Sequence, residues 1–292
     1  MPATYNELLD ATIQHLEGLK AHGVRHVAVA QETLRAFALP VKTIAIPPPV
    51  PKTETTNSMP ATRIAAPVKP QAFIAPVRLP IASSSPEKAA VFAELQARAL
   101  ACVKCPHLAS SRKNVVFGVG SIDAQLMFVG EAPGADEDAQ GEPFVGAAGQ
   151  LLTKIISATG LSRAGVYIAN ILKCRPDTPG QSYGNRKPTP EEMTTCIPYL
   201  HEQIDLIRPK VIVALGAIAV EGLLGKTVGI TKLRGNWQTY RDTPLMPTFH
   251  PSYLLRNQAM SEKRKVWEDM LSVMEKLEMP VSEKQRNFFL KA

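Results

Sequence analysis

The run Gly130-Glu131-Ala132-Pro133-Gly134, followed within ten residues by Gly141-Glu142-Pro143-Phe144-Val145-Gly146, constrains this chain more than any other feature. It follows an apolar stretch, Gln125 to Val129, that reads as a strand, and it opens into Ala147 to Ala158, which reads as a helix. A strand that ends in a Gly/Pro turn and feeds a helix presents backbone N–H groups at the carboxyl end of a sheet, where open α/β folds bind ligands. The glycines let the backbone approach a flat ligand closely, and Phe144 offers a face for ring stacking. Glu131, Asp136, Glu137 and Asp138 crowd the same turn. A plain strand–loop–helix connector would need neither four glycines nor an aromatic residue followed by Val-Gly.

From residue 85 onward the chain alternates strand-like and helix-like stretches. Ser85-Pro86-Glu87-Lys88 reads as a helix N-terminus, with the helix running to about Ala101. Strands are expected over Gln125–Glu131, Val166–Lys173, Val211–Gly216 and Met246–His250. Helices are expected over Gly146–Ala158, Pro190–Ile207, Ala217–Leu224 and Ser261–Leu277. Continuously apolar strands separated by helices indicate a parallel sheet covered on both faces, an α/β architecture. Gly235-Asn236 reads as the turn of a hairpin.

Residues 1–39 read as a short helical segment, because Leu8, Leu9, Ile13, Leu16 and Leu19 recur at helical steps. Residues 40–86 hold 11 of the 25 prolines and read as a flexible, disordered linker. A folded domain over 87–279 and a C-terminal tail over 280–292 complete the expected organisation. The net charge is +7, and from residue 88 onward 25 Lys and Arg face 20 Asp and Glu, a balance that suits an anionic partner. The N-terminus lacks a basic-then-apolar start, and Val211 to Val220 is too short to span a bilayer. A soluble, cytoplasmic protein without membrane contact is the expectation.

All four cysteines fall in the expected domain. Cys102 and Cys105 form C-x2-C, Cys174 follows after 68 residues and Cys196 after 21 more. Four thiolates so arranged suit zinc or an iron–sulfur cluster, and spacing does not separate the two. A redox C-x2-C, or buried thiols at Cys174 and Cys196, are the plainer alternatives.

The segments GEAPGADEDAQGEPFVGAAGQLL, NILKCRP, NRKPTPEE, IRPKVIVALG and TFHPSYLLR resemble, in order, those of the family 4, iron–sulfur uracil-DNA glycosylases. The resemblance covers roughly residues 88–278. It implies a three-layer α/β/α fold around a central four-stranded parallel sheet, and a 4Fe–4S cluster held by Cys102, Cys105, Cys174 and Cys196. It also implies a monofunctional enzyme of DNA repair that acts on uracil-containing DNA as a monomer. The stretch Asp177 to Gly184 is longer than the family's usual connection, and the first 87 residues have no counterpart in the minimal family member. Residues 1–39 are a candidate contact for a repair or replication protein.

The site residues follow from that resemblance. A uracil must leave the base stack before its glycosidic bond is reachable. Phe144 is the expected stacking face, and Asn170, whose amide has both donor and acceptor, the expected reader of the base edge. His250 is expected to donate to the departing uracil. Glu131 is expected to line the pocket and Glu137 to position water, with Ala132 standing where many relatives outside family 4 carry Asp. Leu254, Leu255 and Arg256 are the expected wedge and phosphate contact. Arg186, Lys173, Arg175, Lys232 and Arg234 are further candidates for phosphate. A catalytically inactive DNA-binding relative and a covalently trapping relative are the alternatives. The insert Asp177 to Lys187 holds no His, which counts against trapping.

Overall fold

The computed structural model describes residues 85–177, 185–225 and 227–290. The helical segment expected over 1–39, nearly all of the linker expected over 40–86, and most of the Asp177 to Gly184 insert lie outside them.

Helix α1 (Pro86–Leu100) starts where Ser85 Oγ accepts the Lys88 backbone N–H at 3.2 Å, which satisfies one of the orphan donors of the first turn. A short helix α2 (Pro106–Ser111) follows, then strand β1 (Val119–Gly120) and strand β2 (Leu126–Gly130). The Gly/Pro turn leads into a short helix α3 (Ala135–Gln140) and then α4 (Ala147–Ala158). Strand β3 (Tyr167–Asn170), helix α5 (Pro190–Ile207), strand β4 (Val211–Leu215) and helix α6 (Ala217–Leu224) complete two further strand–helix units. A one-turn helix α7 (Ile230–Leu233) precedes strands β5 (Gln238–Tyr240) and β6 (Thr243–Thr248). Helices α8 (Pro251–Arg256), α9 (Met260–Lys276) and α10 (Glu283–Arg286) follow.

The strands form one sheet in the order β1-β3-β2-β4-β6-β5. The pairs β3–β2, β2–β4 and β4–β6 are parallel, while β1 and β5 pair antiparallel at the two edges. The sheet is therefore six-stranded and mixed: the four expected strands pair in parallel at its centre, and two antiparallel edge strands that the expectation lacked extend it. The edge strands have two and three residues, too few for an apolar run to show in the sequence. The hairpin joining β5 to β6 turns at Arg241-Asp242, both at positive φ (47° and 63°), and not at Gly235-Asn236. A two-residue turn of this hand normally advertises itself with Asn-Gly or Asp-Gly. Here two non-glycine residues adopt it, and Arg241 is tied to Asp205 at 2.7 Å.

Successive side chains of a strand point to opposite faces, and the sheet is packed on both. Met127, Val129, Ile212 and Ala214 meet Leu95, Leu200, Ile204 and Val220 from α1, α5 and α6. Leu126, Phe128, Val211 and Val213 meet Leu152, Ile156, Met270 and Met274 from α4 and α9. The segment set apart as a tail, 280–292, docks on this second layer as far as it is described. Trp267 Nε1 donates to the Gln285 carbonyl at 2.6 Å, Gln285 Nε2 to the Ala158 carbonyl at 2.9 Å, and the Trp267 and Phe288 rings lie 5.2 Å apart. Among the described residues, no helix is long and apolar enough to cross a membrane.

The chain reverses direction across the sheet at β2, with β3 on one side and β4 on the other. Such a switch point opens a crevice beyond the carboxyl ends of the strands.

Candidate active site

A cavity of about 530 Å³ occupies that crevice, and Glu131, Glu137, Phe144, Asn170 and His250 all line it. Three of the five stand on or just after strand ends: Glu131 after β2, Asn170 at the end of β3 and His250 two residues past β6; Glu137 is in α3 and Phe144 in the loop that follows it. The Phe144 and His250 rings are 5.6 Å apart by centroid and tilted 33°. Gly130 lies between the plate and the amide. A Cβ there would clash with Asn170 Oδ1 and come within 2.6 Å of Phe144 Cζ. Phe144 is held in an unfavourable conformation, φ 55°, with its carbonyl pressed against Gly149 of α4, where any side chain would collide with it.

Asn170 is 1% exposed, and neither Nδ2 nor Oδ1 has a hydrogen-bond partner. A buried amide left in this state costs about 1–3 kcal/mol per unsatisfied group, so it marks a place shaped for a ligand with a complementary edge. His250 Nδ1 accepts the Ser252 backbone N–H at 3.1 Å and lies 2.8 Å from Ser252 Oγ. Burial, with Arg256 nearby, pushes the His250 pKa down to about 4, against a smaller opposing pull from Glu137. The ring is therefore neutral near pH 7, with its proton on Nε2.

The four acids of the turn occupy four different environments. Asp136 is exposed. Asp138 is buried and accepts the backbone N–H groups of Lys113 and Asn114 at 2.9 and 3.3 Å. Glu137 accepts from the backbone N–H groups of Gly134, Val145 and Gly146, each at 3.0 Å, so both of its oxygens tie the two glycine-rich segments together. Glu131 carries a carboxyl raised by burial, with Lys187 pulling it back down.

The four cysteines line a second, small cavity with Leu108, Arg112, Leu172 and Thr195. None forms a disulfide. Arg112 Nη1 donates to Cys174 Sγ at 3.1 Å, and the Lys173 backbone N–H donates to Cys196 Sγ at 3.2 Å. Burial pushes the Cys105 and Cys174 thiols up and takes Cys196 up to about 11. Among the described residues, no three His, Cys, Asp or Glu side chains stand in a geometry that could hold a metal ion.

The sequence model of the uracil DNA glycosylase superfamily matches residues 117–271, more than half of the chain. A type-4 uracil-DNA glycosylase of Thermotoga maritima is 49% identical over 174 residues, covering 58% of this chain and 85% of that protein. A type-4 uracil-DNA glycosylase of Sulfurisphaera tokodaii is 39% identical over 207 residues, covering 68% and 89%. The chain belongs to the type-4 uracil-DNA glycosylases. A type-5 uracil-DNA glycosylase of Pyrobaculum aerophilum matches more weakly, 30% identical over 190 residues.

Several basic and apolar residues of this family member do not stand where a DNA surface would need them. Leu254 is 4% exposed and packs with Phe249 and Val266, whereas Leu255 is 38% exposed. On a six-residue helix only one of two adjacent leucines can face the core. Lys173 is buried, its ammonium donating to the Asn170 carbonyl and to Gln203 Oε1. Arg234 is paired with Asp269 under β6. Arg186 lines the large cavity, but its guanidinium is forked on the buried Glu192, which His107 also contacts at 2.5 Å. Arg175 donates to Asn185 Oδ1 at 2.9 Å. Lys232 is exposed, and Arg256 lines the cavity mouth. Nothing in the sequence marked Gly130 as the spacer between plate and amide. Ser252, two residues after His250, was visible only as part of the His-Pro-Ser run.

Proposed function

We infer that this protein is a monofunctional uracil-DNA glycosylase that flips deoxyuridine out of DNA and hydrolyses its N-glycosidic bond. The observation that carries this reading is the orphaned Asn170 amide, buried on the wall of a cavity whose other walls are an aromatic ring and a neutral imidazole. Uracil offers an acceptor at O4 and a donor at N3, and one amide can meet both. Cytosine reverses that pattern and leaves the amide mismatched. The base stacks on Phe144, which offsets part of the few kcal/mol needed to unstack it.

As the bond to the sugar breaks, negative charge collects on the uracil. Neutral His250, with Nδ1 occupied by the Ser252 N–H, donates from Nε2 toward O2. No proton transfer from His250 is required, since a hydrogen bond to a developing anion is stabilising in a desolvated site. Glu131 is the carboxylate that faces the sugar cation and orders water. Glu137, whose oxygens take three backbone N–H groups, keeps the turn that carries Phe144 in register. Exposed Leu255 fills the space left by the flipped nucleotide, and Arg256 meets phosphate.

The cysteine set has the donor chemistry of a 4Fe–4S ligand set: four thiols line one cavity, and two of them receive N–H donors of the kind that support thiolate charge. Cys102, Cys105, Cys174 and Cys196 would hold the cluster, and bound there it supplies a cross-link between α2, the end of β3 and α5.

The test is release of free uracil from single- and double-stranded oligonucleotides by the wild type and by Asn170→Ala. Wild type should release uracil and leave an abasic site, and Asn170→Ala should be slower by about 10²- to 10³-fold while still binding DNA. A folded wild type that releases no uracil refutes the reading.

A further inference from the structure

Lys173 is a buried lysine next to a candidate cluster ligand, and the mechanism above does not use its side chain. It is 2% exposed. Its ammonium donates to the Asn170 carbonyl oxygen at 3.0 Å and to Gln203 Oε1 at 2.7 Å, and lies 5.9 Å from the centre of the Phe117 ring. Gln203 is fully buried and is fixed in turn, its Nε2 donating to the Phe117 carbonyl and to Tyr167 Oη, each at 3.0 Å. Tyr167 is the first residue of β3 and Asn170 the last. The ammonium therefore closes a ring of buried hydrogen bonds that runs from one end of this strand to the other through α5.

Asn170 needs such an anchor. Its side-chain amide has no hydrogen bond of its own, so its direction is set by its backbone and by the fit against Gly130. Strand pairing holds the neighbouring Ile171 N–H, which donates to the Gly130 carbonyl. The Asn170 carbonyl is taken by the lysine three residues on. That carbonyl and the Ile171 N–H belong to one peptide plane, so loss of the lysine leaves the plane held on one edge alone, freer to tilt and to shift the amide relative to the base edge.

We propose that Lys173 is the positioning residue of the base-reading amide, acting through the Asn170 carbonyl and Gln203. The proposal rests on the reading of Asn170 as the uracil reader. Lys173 touches neither the base nor the sugar. Its backbone N–H, bonded to Cys196 Sγ, makes the same short segment, residues 170–174, serve the cysteine cavity and the uracil pocket at once.

The experiment uses the full-length, cluster-loaded protein and two variants, Lys173→Met and Gln203→Met. Methionine keeps most of the buried volume and removes the donor, so the Asn170 carbonyl and Gln203 Oε1 lose their partner at a cost in stability. Three quantities are compared: absorbance at about 400 nm per protein, affinity for abasic-site DNA, and inhibition by free uracil. Lys173→Met should keep the first two and weaken inhibition by uracil by about tenfold, the scale of one lost charge-assisted hydrogen bond. Gln203→Met, which shares no contact with the cysteines, should shift uracil inhibition in the same direction. Uracil inhibition equal to wild type in both variants overturns the proposal. So does a loss of uracil affinity that only tracks a loss of absorbance, since that outcome makes the lysine a support of the cluster. If Asn170→Ala itself leaves uracil inhibition unchanged, the reading of Asn170 fails and takes this proposal with it.

Discussion

The backbone N–H of Ser252 donates to Nδ1 of His250 at 3.1 Å, and this one bond decides which imidazole nitrogen carries the proton. An N–H group cannot accept, so Nδ1 is unprotonated and Nε2 is the donor left to face the cavity.

The sign of the pH dependence follows from burial. The His250 pKa falls from the ordinary 6.5 to about 4 on folding. Between those values the unfolded chain binds a proton that the folded chain refuses, so this residue's contribution to stability is complete above pH 6.5 and is lost as the pH drops toward 4. NMR titration should place His250 near pH 4. The urea midpoint of the wild type should fall more between pH 6.5 and 4.5 than that of His250→Gln. His250→Ala should slow uracil release by about 10²- to 10³-fold. A His250 midpoint near 6.5 in the folded protein would contradict the neutral-donor mechanism.

The two glutamates should respond differently to amidation. Glu137→Gln replaces an oxygen that accepts a backbone N–H with an amide that cannot, at a cost of about 1–3 kcal/mol, and Tm should drop by several degrees. Glu131→Gln should leave Tm nearly unchanged and lower kcat. The reverse pattern of Tm and kcat would exchange their roles.

Gly130→Ala tests the contact between plate and amide. The added methyl collides with Asn170 and Phe144, and such overpacking costs about 1–3 kcal/mol. Uracil release should fall by more than the loss of folded protein explains, with affinity for undamaged DNA retained. Wild-type turnover in this variant would show that the pocket is looser than its geometry.

Cys102→Ala should lower absorbance at about 400 nm and lower Tm, while the fraction that remains folded keeps glycosylase activity. Loss of all activity in a variant that stays folded and binds DNA would give the cluster a direct part in the reaction.

Much of the candidate site was legible without coordinates because the family resemblance marked its residues, and strand patterning placed two of them at strand ends. Asn170 closes an apolar strand and His250 follows one. The four central strands and the long helices α4, α5, α6 and α9 likewise fall within two or three residues of where periodicity put them, since each is long and evenly apolar on its buried side. The edge strands β1 and β5 and the Arg241-Asp242 turn escaped because two or three residues carry no period and no glycine flagged the turn.

From the chain alone came the order of the central strands and long helices, the grouping of four cysteines with the domain and, through its resemblance to a family, the aromatic, amide and imidazole of the candidate site. Those are properties of local pattern and residue chemistry. Only the folded structure settled which charges are free. Lys173 and Arg234 look in sequence like any surface cation, yet Lys173 is buried, Arg234 is half-buried, and both are bonded. Leu254 and Leu255 are identical neighbours of opposite fate. Glu137 looks like one acid of an exposed turn but accepts three backbone N–H groups. Whether a polar side chain meets water, a partner or a ligand depends on residues far away in the chain, and packing alone brings them together.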